Sequence, residues 1–388
     1  LREAFGLTAV PSWFPNTARC QPFIFYFFVD FSYNSFMKIK REIFIGNVGI
    51  GGRHPVSIQS MTATDTHDAR ATLTQIHELK NAGCEIVRVG VPDRKALAPL
   101  AKILKESPLP VVADIHFDAF LAIKSIEAGA QGIRINPGNI GSKEKVKEIL
   151  KAANARNIPI RIGVNSGSLE KKYWNSPAST AEKMVASALD HIKFFEDNGF
   201  FNIKVSLKSS DVKETVNAYR LIHQECDYPL HLGVTEAGTF FRGAIKSAVG
   251  IGSLLMESIG NTIRVSLTAN PVEEIPVAKE ILKITGFREH GIDIISCPTC
   301  SRTTVDLISL VKKAEEALAD IQPDKKIVVA IMGCEVNGPG EAREADIGLA
   351  FSQKYGYIFK NGEMIEKVKP ELSIPRLIEL IKKNFSCG

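Results

Sequence analysis

The sequence predicts an α/β chain in which a closed (β/α)8 TIM barrel is followed by a smaller α+β unit, and three observations predict it. From residue 56 onward, eight short runs rich in Val and Ile alternate with amphipathic helical stretches, the rhythm of βα units around a parallel sheet. Polar and charged residues stand at the C-terminal ends of nearly all these runs, where such a barrel opens its site. After Gly291 the order changes to strand, helix, two strands, hairpin and helix, which reads as a compact α+β unit. At 388 residues and 45% hydrophobic content, the chain is long enough for one large core and a second, smaller one.

Residues 1–36 stand outside the pattern. Their aromatic run, Phe23, Ile24, Phe25, Tyr26, Phe27 and Phe28, carries no period into the next segment. It is too short to span a bilayer, and the basic start and small-residue cleavage site of a secretory signal are poorly formed. The expectation is an extension that is not native to the working protein, either an upstream-extended frame or a tail, with Met37 opening a second beginning, MKIKREIFIG.

The barrel is expected over 37–288. Its strands centre on VSIQS (56–60), EIVRVG (85–90), PVVADI (110–115), GIRIN (132–136), PIRIGV (159–164), FNIKVSL (201–207), PLHLGV (229–234) and TIRVSL (262–267). Helical spacing falls over 68–81, 117–128, 142–155, 180–198, 211–225 and 272–285, several of these closed by Gly at the stop position. A break near 286–291 leads into the second unit, 289–388. That unit reads as strand IDIIS, a helix over 303–319, strands KIVVAIM and ADIGLAFS, a hairpin on Asn361-Gly362 and a last helix over 375–384.

Charge and cysteine usage exclude several classes. A formal charge of +5 with no dense Lys/Arg block does not describe a duplex nucleic-acid binder, while an anionic small molecule stays open. Seven cysteines in a chain of this size form no secreted disulfide framework, which points to a reducing, cytoplasmic setting. Cys20, Cys84, Cys226 and Cys387 read as ordinary thiols.

The other three cysteines carry chemistry. Cys297 and Cys300 in CPTC, with Cys334 in MGCEVNGPGE, place two thiolates on one turn and a third far along the chain. Three thiolates can hold one iron-sulfur cube and leave an iron unclaimed by Cys, and Glu341 stands close enough in sequence to offer that iron an oxygen. A structural zinc site is the alternative, although such sites normally close the tetrahedron with a second Cys pair or a His pair, and no His follows His290.

At the barrel mouth the strand ends bring Arg88, Asp114, His116, Arg134, Asn136, Arg161, Asn165, Lys208, Glu236, Arg264 and Ser266. Four arginines and a lysine converging there repel one another unless a polyanion or acidic partners offset them, and guanidinium forks match phosphate oxygens. The alternative is a set of internal salt bridges to Asp114 and Glu236, with His116 a hydrogen-bonded core residue. The loops INPGNIG and VNSGS add an unspecific phosphate cradle, and GIGG at 49–52 a weaker one, because it precedes a strand.

A helix of about 14 residues after the last strand carries the chain ~20 Å back to the opposite face of the barrel. A connector of about six residues spans at most ~20 Å, so the cysteine unit cannot easily reach its own barrel mouth. The expectation is a two-fold, head-to-tail homodimer in which one subunit's cysteine unit caps the other's mouth.

Taken together, QSMTATDT, ADIHFD, RINPGNIG, RIGVNSGS, SLKSSD, TEAG, ISCPTC and MGCEVNGPGE resemble the 4-hydroxy-3-methylbut-2-enyl diphosphate synthase family of isoprenoid precursor synthesis, in its two-domain bacterial form, from about Lys38 to the C-terminal helix. The resemblance implies an iron-sulfur oxidoreductase that opens the ring of 2-C-methyl-D-erythritol 2,4-cyclodiphosphate and removes a hydroxyl as water. It implies that Cys297, Cys300 and Cys334 hold a 4Fe-4S cluster, with Glu341 on the fourth iron until a substrate oxygen replaces it. It further implies a diphosphate clamp of Arg88, Arg134, Arg161, Lys208, Ser266, Asn136 and Asn165, a proton donor at Glu236, and a pocket role for Asp114, His116 and Arg264. No nucleotide-binding fingerprint supplies NAD or flavin, so ferredoxin or flavodoxin is the implied electron donor. Two rivals stand beside it: a pterin-binding transferase of the dihydropteroate synthase kind leaves the cysteines unexplained, and a zinc- or cluster-stabilised module docking RNA or protein predicts colourless protein with zinc and no redox activity.

Overall fold

The structure is a computed structural model that describes residues 40–288, 291–319, 321, 323, 325–334 and 345–385. The N-terminal extension expected at 1–36, and Glu341, lie outside the described residues.

A small antiparallel hairpin opens the described chain, with β1 (Ile43–Ile45) paired to β2 (Val48–Ile50). Its Ile43, Ile45 and Ile50 pack on Ile86 and Val112, which lie at the starts of two barrel strands, so the hairpin floors the N-terminal end of the barrel. The GIGG segment belongs to this floor. Gly51 has φ 81°, and a Cβ there would stand 2.1 Å from the Arg41 carbonyl oxygen, so glycine is required by backbone packing. The phosphate-cradle expectation for GIGG is therefore corrected: it lies at the end of the barrel opposite the mouth.

The barrel follows as β3 (Ser57–Met61), α1 (Ala69–Ala82), β4 (Ile86–Gly90), α2 (Leu97–Glu106), β5 (Val111–Asp114), α3 (Ala119–Glu127), β6 (Gly132–Ile135), α4 (Lys143–Ala155), β7 (Ile160–Asn165), α5 (Thr180–Asp197), β8 (Ile203–Lys208), α6 (Val212–Glu225), β9 (His231–Leu232), α7 (Phe240–Met256), β10 (Thr262–Ile263) and α8 (Glu274–Ile284). The strands are parallel, in the order β8-β7-β6-β5-β4-β3-β10-β9, and a parallel bridge between Val205 and Leu230 closes the ring. Each of the eight apolar runs is a strand. The last two are shorter than the runs predict, two residues each, because the chain leaves the ladder after Leu232 and Ile263 to build the mouth. The ring also contains α2 and α7, two helices the sequence reading had not singled out.

Helix starts follow local chemistry. Asp68 accepts from Ala71 N ahead of α1, and Ser179 with Glu182 forms a capping box on α5. Period-two alternation then sorts the strands. Ile58, Val87, Val89, Val111, Ile133, Ile135, Ile160, Ile162, Val205 and Leu207 face the helices and form the large core. The intervening positions face the barrel interior, and many of these are charged.

The second sheet runs β11 (Gly291–Ser296), β12 (Lys326–Met332), β13 (Ile347–Phe351), β14 (Gly356–Lys360) and β15 (Glu363–Val368), with the first three parallel and the rest antiparallel. Helices α9 (Leu307–Leu318) and α10 (Pro370–Phe385) share one core with it through Leu307, Ala314, Leu318, Ile374, Leu377 and Ile381. The β14–β15 turn is the expected one, with φ of 50° at Asn361 and 85° at Gly362. Two helix starts differ from the sequence reading. Helix α9 begins at Leu307, not 303, because Thr303 and Thr304 are held in the cysteine turn and Asp306 supplies the cap. Helix α10 begins at Pro370, a residue suited to a first turn, and takes Pro375 inside it.

The connector is tied to the barrel floor. Arg288 pairs with Glu85 at 2.6 Å, Glu85 in turn accepts from Ile58 N, and Lys283 Nζ donates to the Ile292 carbonyl at 2.5 Å. Among the described residues, no helix is long and apolar enough to cross a membrane.

Candidate active site at the barrel mouth and the cysteine turn

Inward positions near the strand ends bring most of the sequence-predicted residues together. Asp114 closes β5 at 3% exposure, and its Oδ1 accepts from Arg134 Nη1 on β6 at 3.1 Å. Arg88 Nε on β4 lies 3.5 Å from Asp114 Oδ2, and His116 Nε2 lies 3.6 Å from the same oxygen. Arg134 Nη1 also lies 3.2 Å from His116 Nε2. Burial alone would raise the Asp114 pKa, but Arg88, His116 and Arg134 overcome it and hold the carboxyl well below the usual carboxylate range.

The rest of the ring is cationic. Arg161 (β7) and Lys208 (β8) are buried, and Arg264 follows β10. Burial pushes the Arg88 pKa down to about 10, with Arg264 and Arg134 adding to it, and burial followed by neighbouring cations lowers Arg161 and Lys208 well below their usual ranges. At an effective dielectric of about 20, two like charges about 5 Å apart repel by about 3 kcal/mol, so this cluster favours a polyanion strongly.

Glycines make the crowding feasible. A Cβ on Gly163 would stand 2.7 Å from Arg134 Nε, and one on Gly233 would stand 2.5 Å from Lys208 Nζ. Both positions face inward, and a methyl there would displace a cation.

The salt-bridge alternative is met in part and corrected in part. Asp114 is internally paired, but Glu236 is not. It is exposed, has φ 51°, and forms no ion pair among the described residues. Left-handed backbone at a non-glycine residue stores strain of order 1–3 kcal/mol, a feature that clusters at functional sites. The second internal carboxylate is Glu274, at the first turn of α8 and 3% exposed. It lies 3.4 Å from Arg264 Nη2 and accepts from Ser60 Oγ at 2.8 Å and Leu267 N at 3.2 Å. Sequence reading does not single out Glu274, because its role depends on a contact with Arg264 across the mouth.

Polar loops line the rim. Asn136 Oδ1 accepts from Gly138 N at 3.2 Å, and its amide reaches Ser168 at 3.4 Å, which joins INPGNIG to VNSGS. Asn165 closes β7, and Ser266 stands half-buried two residues past Arg264. Met61, not anticipated, lies with its sulfur 2.9 Å from Arg88 Nη2 and 3.6 Å from Arg264 Nη1.

The cysteines sit elsewhere, in the second unit. Cys297 follows β11 and Cys334 lies two residues past β12, and these strands are parallel neighbours whose register pairs Ser296 with Ile331. Gly333 N donates to Cys297 Sγ at 3.3 Å. Cys300 is exposed, and its backbone is tied through Thr303 Oγ1 (3.1 Å), while Thr304 N donates to the Gly333 carbonyl at 3.2 Å. Topology thus draws all three thiols to one end of one sheet, each a free cysteine. The donor set suits a soft-metal cluster, and an N–H directed at a sulfur is the kind of bond that tunes one. Among the described residues, no three His, Cys, Asp or Glu side chains converge closely enough to hold a single metal ion.

The comparisons with known proteins cover both units. Residues 40–279 match the family model described as the GcpE TIM-barrel domain, and residues 293–383 match the GcpE protein C-terminal domain. The chain is 55% identical over 346 residues to the 4-hydroxy-3-methylbut-2-en-1-yl diphosphate synthase (flavodoxin) of Clostridium perfringens, covering 89% of this chain and 99% of that one. It is 54% identical over 349 residues to the protein of the same name from Geobacter sulfurreducens, covering 89% and 98%. A solved structure of Yersinia pestis dihydropteroate synthase aligns with a TM-score of 0.46 at 13% identity, over 63% of this chain and 97% of that one. That likeness carries no functional weight.

Proposed function

The chain belongs to the GcpE family, and on that premise we propose how its two units divide the work. The protein converts 2-C-methyl-D-erythritol 2,4-cyclodiphosphate to 4-hydroxy-3-methylbut-2-enyl diphosphate, a step of isoprenoid precursor synthesis. Two electrons and two protons are consumed for each water that leaves. Residues 37–288 bind the substrate, and residues 289–388 hold the redox group.

The observation that carries this division is the cation excess inside the barrel. Among the described residues, the five cations Arg88, Arg134, Arg161, Lys208 and Arg264 have ion pairs only with Asp114 and Glu274, so a cyclic diphosphate supplies the missing negative charge. Asp114 orients Arg88 and Arg134, Glu274 orients Arg264, and Asn136, Asn165, Ser266 and His116 complete the pocket. Glu236, exposed on strained backbone beside β9, delivers a proton to the reacting carbon skeleton or leaving oxygen.

Cys297, Cys300 and Cys334 would hold a 4Fe-4S cluster, with Glu341 as the fourth ligand. When bound, that group supplies electrons one at a time and a Lewis-acidic iron. The names of the relatives support flavodoxin as the external donor, with ferredoxin its alternative. The buried free thiol Cys84 accords with a reducing, cytoplasmic setting.

The working form we propose is a homodimer in which the cysteine unit of one subunit covers the mouth of the other. The ties from Arg288 and Lys283 anchor the start of this unit at the barrel floor, away from its own mouth. Helix α7 also exposes Phe241, Ile245, Val249 and Met256 at 74%, 49%, 56% and 66%, a stripe at helical spacing that a second copy would bury.

The test is anaerobic turnover of the cyclic diphosphate by the iron-loaded chain with reduced flavodoxin. Appearance of the open-chain diphosphate is expected, and loaded protein that binds the substrate without forming product would overturn the assignment.

A further inference from the structure

Beneath the mouth, the barrel interior carries a second set of polar groups, which Arg161 of the proposed diphosphate clamp borders. Arg161 on β7 lies opposite Lys204 on β8, and His231 on β9 follows Leu230, which bridges Val205. Thr262 on β10 pairs with His231 on one side and with Ser57 of β3 on the other. The five residues form a belt around one level of the barrel, and none is more than 3% exposed. Arg161 Nε and Nη1, Lys204 Nζ, both ring nitrogens of His231, Thr262 Oγ1 and Ser57 Oγ are all buried without a hydrogen-bond partner among the described residues.

Such a concentration of unpartnered donors is not a satisfied core, because buried polar groups are almost always paired. Among the described residues, no carboxylate pairs with them. Asp114 is taken by Arg88 and Arg134, and Glu274 by Arg264, Ser60 and the Leu267 amide. Burial, and after it Arg161 and Arg88, lower the pKa of Lys204, and burial with Arg161, Lys208 and Lys204 lowers that of His231.

We propose that this belt binds a small monovalent inorganic anion of chloride's size, held by Lys204 Nζ, Arg161 Nη1 and a ring N–H of His231. Thr262 and Ser57 hydroxyls complete the shell. The hairpin core of Ile45, Ile86 and Val112 lies below the belt, and Arg134 and Lys208 lie above it, beside Gly163 and Gly233. An anion there offsets the desolvated cations and keeps Arg161 and Lys204 charged. The proposal is tested apart from the enzymatic assignment, since a bromide map reads the belt whether or not the loaded protein turns over.

Two measurements on the full-length, iron-loaded protein test it. Crystals grown in sodium bromide should show an anomalous peak at the bromine edge within contact distance of Lys204 Nζ. In solution, replacing sodium gluconate by sodium chloride at equal ionic strength should raise Tm by about 2–4 °C at saturation, and Lys204→Met should abolish that rise. A belt containing only water in bromide-grown crystals, or a Tm equally insensitive to chloride in the wild-type protein, overturns the proposal. If Lys204→Met fails to fold, the bromide map on the wild-type protein decides the matter alone.

Discussion

Arg134 occupies the space that a side chain on Gly163 would fill: the guanidinium Nε from β6 lies 2.7 Å from the Cβ position of its neighbour on β7. The pair shows how a cationic mouth is packed at all, because bare strand backbone on β7 admits a long charged side chain from the adjacent strand.

Gly163→Ala should therefore act on Arg134 and not on the fold as a whole. We expect destabilisation of about 1–3 kcal/mol from overpacking and weaker binding of the cyclic diphosphate, as Arg134 loses its 3.1 Å contact with Asp114. Urea unfolding and calorimetric titration measure the two effects, and unchanged affinity would remove Arg134 from the clamp.

Asp114→Asn should cost about 3–5 kcal/mol, since it strands two buried guanidinium groups. The pH dependence follows from the depressed carboxyl pKa. Stability from this group is complete above its unfolded value of about 4 and is lost only as pH falls through the lower folded value. The gap between wild type and variant should thus be equal at pH 7 and pH 5, as read from urea midpoints at both.

Glu236 offers a separation of stability from turnover. Glu236→Gly relieves the left-handed strain at φ 51° and should fold within about 1 kcal/mol of wild type, yet lose at least ~100-fold in kcat along with Glu236→Gln. A near-normal kcat in the Gln variant would take Glu236 out of proton transfer.

Cys334→Ala should lose iron, sulfide and visible absorbance together with turnover. Full iron content in the purified variant would reassign the ligand set, and zinc in place of iron in the wild-type protein would point to a structural site.

Mixing subunits tests the shared site directly. A Cys334→Ala chain and a Glu236→Gln chain, each inactive, leave one intact site per mixed dimer if the cysteine unit serves the partner's mouth. Random pairing then restores about a quarter of wild-type activity. If each unit serves its own barrel, refolded mixtures stay inactive.

The barrel was legible because its signals are local. Alternation fixes which strand residues face the helices, and position near the strand ends marked Arg88, Arg134 and Arg161 for the mouth from sequence alone. The same parity in FNIKVSLK puts Lys204 inward with Lys208, a signal that was present and went unused. Glu274 was not legible in this way, since its role depends on where α8 begins relative to Arg264, a contact across the mouth that no local pattern encodes.

By itself, the sequence determined the eight-fold βα order, the cationic strand ends and the three cysteines, because each rests on spacing along one segment. Tertiary structure alone decided the rest: that Asp114 and Glu274 share out Arg88, Arg134 and Arg264, that Gly163 and Gly233 make room for cations, and that Lys204 and His231 are buried without a hydrogen-bond partner among the described residues. These are contacts between side chains on different strands, and they come into being only when the ring closes and desolvates them.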